Sequence, residues 1–355
     1  MRILRRYMFR EILSTTGLVM AVLLGLAVFI EFVTQLDDVG TGDYGIPQAL
    51  LFALLKLPNL AHIMLPMAAL LGALLGLGGL ANHSELVVIR GAGVSQIRLA
   101  GAVMTTGVVL SLLALVLGEN VGPPLENYAR QFRAQAKHVD SGMATGSSAW
   151  LRDGDTFLNI SRQTDDDPLG GVYLYKMNSA GQLTSIARAD STSIGEANQL
   201  VLSNFAETAF VDQGVTTRQL ERLSRSSNLN PDLIGLAVVR PSSLTGVALY
   251  RYVRYLRLNE LDASRYEAAF WGRIANAVAV TPMCILALPF VFGRLQRSGA
   301  GARMIFGLII GLAYFLASRG LADGGQVYGL NAVLVAWMPT TALAAVTAVA
   351  LARTR

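Results

Sequence analysis

Residues 66–95 read PMAALLGALLGLGGLANHSELVVIRGAGVS. The first half, 66–81, is uncharged and dense in Gly, Ala and Leu, the composition of a helix that packs closely against others inside a bilayer. The chain turns polar at Ala81-Asn82 and runs straight into Ser84-Glu85-Leu86-Val87-Val88-Ile89-Arg90, closed by Gly91 and Gly93. A tight membrane helix feeding a compact element on one side is suited to passing force. Ser84 is expected to cap a short helix there. Leu86, Val87, Val88 and Ile89 have no membrane reason to lie in a short polar connection. Flanked by Glu85 and Arg90, they suit a groove on a cytosolic protein. The competing reading is a re-entrant or interfacial turn packed on the chain's own helices.

Of the 355 residues, 53% are hydrophobic and 15% charged, which argues against an ordinary soluble domain and for a polytopic membrane protein. Uncharged or nearly uncharged runs lie at 12–30, 57–81, 99–118, 274–292, 304–322 and 332–352. A hydrocarbon core of ~30 Å takes about 20 helical residues, so six spans are predicted. The basic start of the chain resembles a signal peptide, but no small-residue cleavage site follows it, and the first span is read as uncleaved. Pro282 or Pro289 is expected to bend the fourth span.

Orientation follows from short-loop Lys and Arg. Arg2, Arg5, Arg6, Arg10, Arg90, Arg98, Arg294, Arg297, Arg303, Arg353 and Arg355 fall on one side, whereas 35–47 and 323–331 carry none. Both termini are therefore expected in the cytoplasm. The net charge of +5 is a matter of topology rather than of nucleic-acid binding.

Residues 122–265 change character. Short β-like runs at 157–161, 171–177, 183–187, 200–203 and 208–211 are separated by Asp-Gly, Asn-Ser-Ala-Gly, Gly-Glu-Ala-Asn and Asp-Gln-Gly. That spacing predicts an antiparallel sandwich or jelly roll. Two flanking helices are expected, over 125–138 and 244–262. The second carries Leu249, Val253 and Leu256 on one face and Arg251, Arg254 and Arg257 on another. The chain thus divides into 1–121, with three spans and the short helix; 122–265, an extracytoplasmic β domain; and 266–355, with three further spans.

Catalytic signatures do not emerge. There is no phosphate-binding G-x-x-x-x-G-K-[ST] and no G-x-S-x-G, and His62, His83 and His138 make no metal-ligand pattern. The lone Cys284 forms neither a disulfide nor a cysteine metal site within one chain. Asp165-Asp166-Asp167 reads as a solvated loop tip. No cofactor is expected in this chain, and any nucleotide chemistry belongs to a partner. Gly72-x-x-x-Gly76 and Gly307-x-x-x-Gly311 permit close helix approach, within the chain or across a subunit seam. Glu31, Lys56 and Arg319 sit near the outer ends of their spans, where charges snorkel or pair. They could also rim a cavity that receives an anionic headgroup, Arg holding phosphate bidentately and Lys as a point charge.

These residues carry a family resemblance. The opening stretch, ENYARQFRAQA (126–136), AWLRDGDTFLNI (149–160) and LDASRYEAAFW (261–271) resemble the permease subunits of the lipopolysaccharide export ABC transporter, the LptF/LptG family. The resemblance implies an α-helical polytopic inner-membrane protein of six transmembrane helices with an inserted periplasmic β-jellyroll. It implies a non-enzymatic subunit in a heterodimer with an LptF-like permease. ATP and Mg would be bound by an LptB-like ATPase dimer, and an LptC-like component would begin the periplasmic bridge. Lipopolysaccharide would be taken from the outer leaflet. The segment from Ser84 to Arg90 would be the coupling helix, with Glu85 its first contact. Helices one and five would line the cavity, making Glu31, Asp37, Lys56, Arg133 and Arg319 its candidate polar residues. The outer end of helix one, Glu31 to Asp38, is acidic where some relatives are basic, so positive charge would come from Lys56, Arg133, Arg319, the partner or divalent cations. Two rivals stand beside transport: a scaffold permease that relays ATPase motion without passing a lipid, and a membrane-anchored enzyme acting through its outer domain.

Overall fold

The computed structural model describes residues 2–138, 148–153, 155–161, 171–178, 182–195, 199–211, 214–226, 241–259, 261–292 and 300–353. The acidic run at 165–167 and the arginines at 294, 297 and 355 lie outside these. The chain forms two compact units, 1–136 with 264–355, and 137–263.

The first unit is helical. It comprises α1 (Arg2–Gln35), α2 (Ile46–Leu55), α3 (Leu57–Asn82), α4 (Glu85–Gly91), α5 (Gln96–Val116), α6 (Gly122–His138), α8 (Ser264–Phe292), α9 (Ala300–Val327) and α10 (Ala332–Arg353). Among the described residues, six segments are long and apolar enough to cross a membrane: α1, α3, α5 continued through α6, α8, α9 and α10. The six runs read from the sequence are all recovered, each lengthened at one end or both. A π-helical turn, Leu117–Val121, joins α5 to α6. The helix α2 was not anticipated. It is apolar but too short to cross a membrane.

The hub is α3. Its most apolar stretch is 72% buried within the chain, against 17% for α1 and 11% for α9. Glycine makes this possible, because helices in lipid associate chiefly by close packing. The α1 backbone at Thr16 lies directly over Gly72, and Thr15 Oγ1 donates to the Gly72 carbonyl at 2.8 Å. A Cβ on Gly76 would fall 2.8 Å from Thr15 Oγ1. On the other side, Gly307 of α9 receives Leu71 and Leu74, and Gly311 receives Met67. Both small-residue motifs are thus used inside the chain. Around them Met8, Ile12, Leu70, Leu77, Val103, Leu110, Val280 and Met283 form one core across α1, α3, α5 and α8. Gly107 likewise admits the backbone of Thr281, beside a Ser111–Thr281 hydroxyl contact of 2.9 Å.

The second unit holds a seven-stranded antiparallel sheet: β1 (Ser148–Asp153), β2 (Thr156–Ser161), β3 (Val172–Met177), β4 (Leu183–Ala189), β5 (Ser191–Gly195), β6 (Gln199–Val211) and β7 (Gly214–Ser226). Leu158, Leu174 and Ala187 lie in register across β2, β3 and β4 on the buried face, while Tyr173 and Arg188 face outward. That alternation is what lets one face of an antiparallel sheet be apolar. The runs at 200–203 and 208–211, expected as separate strands, are one strand. Asn204 bends β6 between them at φ +51°, and its side-chain amide donates to Asp190 at 3.2 Å, where the edge passes from β4 to β5. Counting β4 and β5 as one bent strand, the described strands form a meander in chain order. The sequence missed β1, β5 and β7. The helix α7 (Gly246–Leu258) buries Leu249, Tyr252, Tyr255 and Leu256 and leaves Arg251, Arg254 and Arg257 exposed. Thr245 caps it, accepting from the Ala248 amide.

Replacing Gly72 by leucine is expected to force α1 off α3 and to destabilise the purified protein by about 1–3 kcal/mol. An unaltered thermal unfolding midpoint in detergent would show that this contact is not close-packed.

Candidate functional site

Two groups of polar residues stand out, at opposite ends of the helical unit. At the end bearing the amino-terminal arginines, α3 stops at Asn82 and the chain turns through Ser84 into α4. Ser84 adopts the left-handed conformation at φ +62° and makes no side-chain cap, contrary to the expected role. Its part is the tight reversal that turns α4 off the end of α3, a conformation unusual for a residue other than glycine.

The run from Leu86 to Ile89 does not stand free as a block. Leu86 is fully buried in the helical core, and Ile89 packs against that core. Val88 points outward, 69% exposed, and Val87 lies between them in α4. Arg90 stacks over Phe292 at the end of α8, 5.2 Å from the ring centroid. Tyr7 of α1 donates its hydroxyl to Glu85 Oε2 at 2.9 Å. The short helix is therefore half docked on its own bundle, and Glu85, Val88 and Arg90 are among the described side chains it presents outward. Side-chain direction on a helix decides this, and a mostly apolar four-residue run does not reveal it.

At the far end, Glu31 and Lys56 pair at 2.7 Å, each about 19% exposed. Gln35 donates to Glu31 Oε1 at 3.1 Å, and Tyr44 donates to Gln35 Oε1 at 3.3 Å. Burial raises the Tyr44 phenol above its usual range, with Arg133 opposing and Asp38 and Glu31 adding to the shift. Arg133 of α6 pairs with Asp38. Lys56 and Arg133 both lie over the Phe52 ring, at 5.5 and 5.4 Å from its centroid. Three expected cavity residues, Glu31, Lys56 and Arg133, thus meet around α2, the helix the sequence reading left out. Asp37 is exposed, and its neighbour Asp38 takes the cation instead. Arg319 stands apart on α9, about 70% exposed, with Asp323 one turn on at 3.6 Å.

This group carries two cations and two carboxylates among its ion pairs, so an anion entering it would compete with Glu31 and Asp38. The Phe52 ring meets both charged heads, a cation–π arrangement that keeps them together if the carboxylates let go.

A further polar seam runs through α3, the π-helical turn, α6 and α8, and sequence reasoning missed it. Asn59 donates to Glu126, which is 2% exposed and also receives Arg130 at 2.5 Å. Arg273 approaches Glu119 at 3.9 Å and the Gly118 carbonyl at 3.4 Å. The His62 ring sits on Gly118 and shares a hydrogen with the Ala114 carbonyl at 2.9 Å, while Asn276 donates to the His62 carbonyl at 2.9 Å. The opposite charges of Glu119 and Arg273, at the ends of adjacent spans, were the available signal. The π-helical turn, a local departure common at functional positions, presents Glu119 to Arg273 of α8.

Six membrane-length helices among the described residues, with a short helix at one end and an inserted antiparallel β domain, define a polytopic membrane protein. The chain belongs to the family of lipopolysaccharide export system permeases, LptF/LptG, whose profile matches residues 6–353. It is 36% identical to the lipopolysaccharide export system permease protein LptG of Haemophilus influenzae, over 95% of this chain and 94% of that protein. The Escherichia coli K12 LptG is 34% identical over 95% of this chain and 94% of its own length. The LptF of the same organism is 26% identical over 94% of this chain and 90% of its own.

The Glu31–Lys56 pair is expected to show in a double-mutant cycle of Glu31→Gln and Lys56→Met. The coupling should be about 0.5–3 kcal/mol in thermal unfolding of the detergent-purified protein. Strict additivity would show that the two charges act independently.

Proposed function

We propose that this chain is a permease subunit of an ABC transporter that extracts lipopolysaccharide from the outer leaflet of the inner membrane and passes it to a periplasmic bridge. The family carries the transport assignment, and the observation that favours this route is the uneven cover of the helices. Only 17% of the most apolar stretch of α1 and 11% of that of α9 is buried within the chain. These two faces are the ones left for an LptF-like partner and for the lipid between the subunits, so α1 and α9 are assigned as the cavity walls. The relatives compared include both LptG and LptF proteins of one organism, which fits a pair of related permeases.

In this reading the arginine-bearing end of the bundle faces the cytoplasm and the β unit faces the periplasm, as the positive-inside asymmetry directs. The chain supplies no nucleotide site. ATP and Mg are bound by an LptB-like ATPase dimer that engages α4 through Glu85, Val88 and Arg90, with Tyr7 aiming the Glu85 carboxylate. Closure of that dimer carries α4 with it and narrows the cavity. The headgroup is met by Lys56 and Arg133 when anionic phosphate displaces Glu31 and Asp38, and Arg319 is held in reserve on the opposite wall.

Energetics set the role of the β unit. At ~0.8 kcal/mol per CH₂ exposed to water, a lipid with several acyl chains costs tens of kcal/mol to drag bare across an aqueous gap. An apolar groove must shield the chains. The antiparallel β unit is assigned that part, as a jelly roll continued by an LptC-like component.

Photocrosslinking residues placed along the exposed faces of α1 and α9 should capture lipopolysaccharide in the active complex. No lipid adduct at either helix would replace the transport reading with that of a scaffold relaying ATPase motion. For the coupling role, Glu85→Lys should weaken ATPase association or abolish export. Normal assembly, ATP hydrolysis and export in that variant would remove Glu85 from the contact.

A further inference from the structure

Arg303 looks in sequence like one more flanking cation of the fifth span. In the structure it is 1% exposed, the largest side chain in the molecule to be so deeply buried among the described residues. A flanking arginine ordinarily snorkels, keeping its head in the interfacial water, because burying a guanidinium is costly unless it is paired. Arg303 does the opposite. Its guanidinium turns inward onto α3 and covers Gly78, where a Cβ would sit 2.7 Å from Cζ and 3.1 Å from Nε. Nη2 donates to Asn82 Oδ1 at 2.9 Å, and Nη1 is buried with no acceptor among the described residues. The negative end of the α3 dipole offsets part of the cost, since Gly78 and Asn82 lie in its last turns.

The position gives this expense a use. Arg303, Gly307 and Gly311 recur every four residues along α9 and form one stripe against α3. The lower contacts, Gly307 on Leu71 and Leu74 and Gly311 on Met67, are apolar and carry no hydrogen bond of their own. Arg303 is the polar, directional contact of the stripe. Its acceptor Asn82 is the last residue of α3, two residues before the left-handed Ser84 and three before the first residue of α4. Along the backbone, any displacement of α4 therefore reaches Asn82 before it reaches the rest of α3.

We infer that the Asn82–Arg303 hydrogen bond is the link through which movement of α4 is passed to α9. Arg303 acts as a positioning residue, holding the base of α9 to the elbow between α3 and α4. It does not touch lipid or nucleotide. The inference rests on the transport reading, in which α4 receives the ATPase and α9 lines the cavity.

The test uses the whole transporter with its ATPase partner, reconstituted in proteoliposomes loaded with lipopolysaccharide, measuring lipopolysaccharide released per ATP hydrolysed. In Arg303→Met and in Asn82→Leu, hydrolysis should stay within about twofold while release per ATP falls about tenfold, the worth of one hydrogen bond to a charged group. The double variant should be no worse than either single one. Asn82→Asp, which exchanges the hydrogen bond for an ion pair, should keep release per ATP at the wild-type level. If Arg303→Met fails to accumulate in the membrane, the contrast between Asn82→Leu and Asn82→Asp decides the matter. Hydrolysis and release that fall in proportion, or release per ATP that is unchanged in Asn82→Leu, would overturn the link. A wild-type complex that hydrolyses ATP but releases no lipopolysaccharide would instead overturn the transport reading, and this inference with it.

Discussion

The approach of α1 to the backbone of α3, with the glycines of α9 closed over α3 side chains, is the contact from which the helical unit is built. In lipid there is little hydrophobic force to drive helices together, because acyl chains are as apolar as leucine. What remains is close packing and a few hydrogen bonds. Gly72 and Gly76 admit α1, while Gly307 and Gly311 admit the side chains of α3. With α3 thus enclosed, α1 and α9 turn most of their own surface outward. The exposed faces are a consequence of how the glycines are distributed.

The charged side chains described above gather toward the two ends of this apolar body, and each end is tied differently. At the α4 end the ties are single and directional: Tyr7 to Glu85, Arg90 to Phe292, Arg303 to Asn82. Each joins the short helix or its elbow to a different long helix. At the far end the ties are paired charges gathered round Phe52. A set of single bonds suits an element that must move with a partner. A balanced set of ion pairs suits a place where one anion is exchanged for another. Both arrangements fit a subunit that couples an event on one side of a membrane to a lipid on the other.

Much of the architecture was legible before folding was considered. Bilayer thickness fixes the length of a span, so six uncharged runs could be counted directly, and turn residues such as Asp-Gly and Asp-Gln-Gly separated strands that do pair. Errors arose where local signals mislead. Asn204 divides an apolar run and reads as a break, yet in the sheet it is a bend within β6 matched by the change from β4 to β5. Ile46–Leu55 is too short to register as a span and too apolar to register as a loop, so α2 escaped notice, and with it the ring that gathers Lys56 and Arg133. Asp37 and Asp38 are indistinguishable in sequence, and only helix geometry gives the ion pair to Asp38.

By itself, then, the sequence determined the class of protein, the number of spans, the short helix after α3 and the family, because length, hydropathy and motif are properties of the chain in order. Partners, directions and depth were decided by tertiary structure. It turned Leu86 and Ile89 inward and Val88 out, brought Glu31 to Lys56 across two helices, and buried Arg303 where the sequence suggested a solvated flank. These outcomes depend on which side of a helix meets which neighbour. That is fixed by packing between residues distant in the chain, and no local pattern carries it.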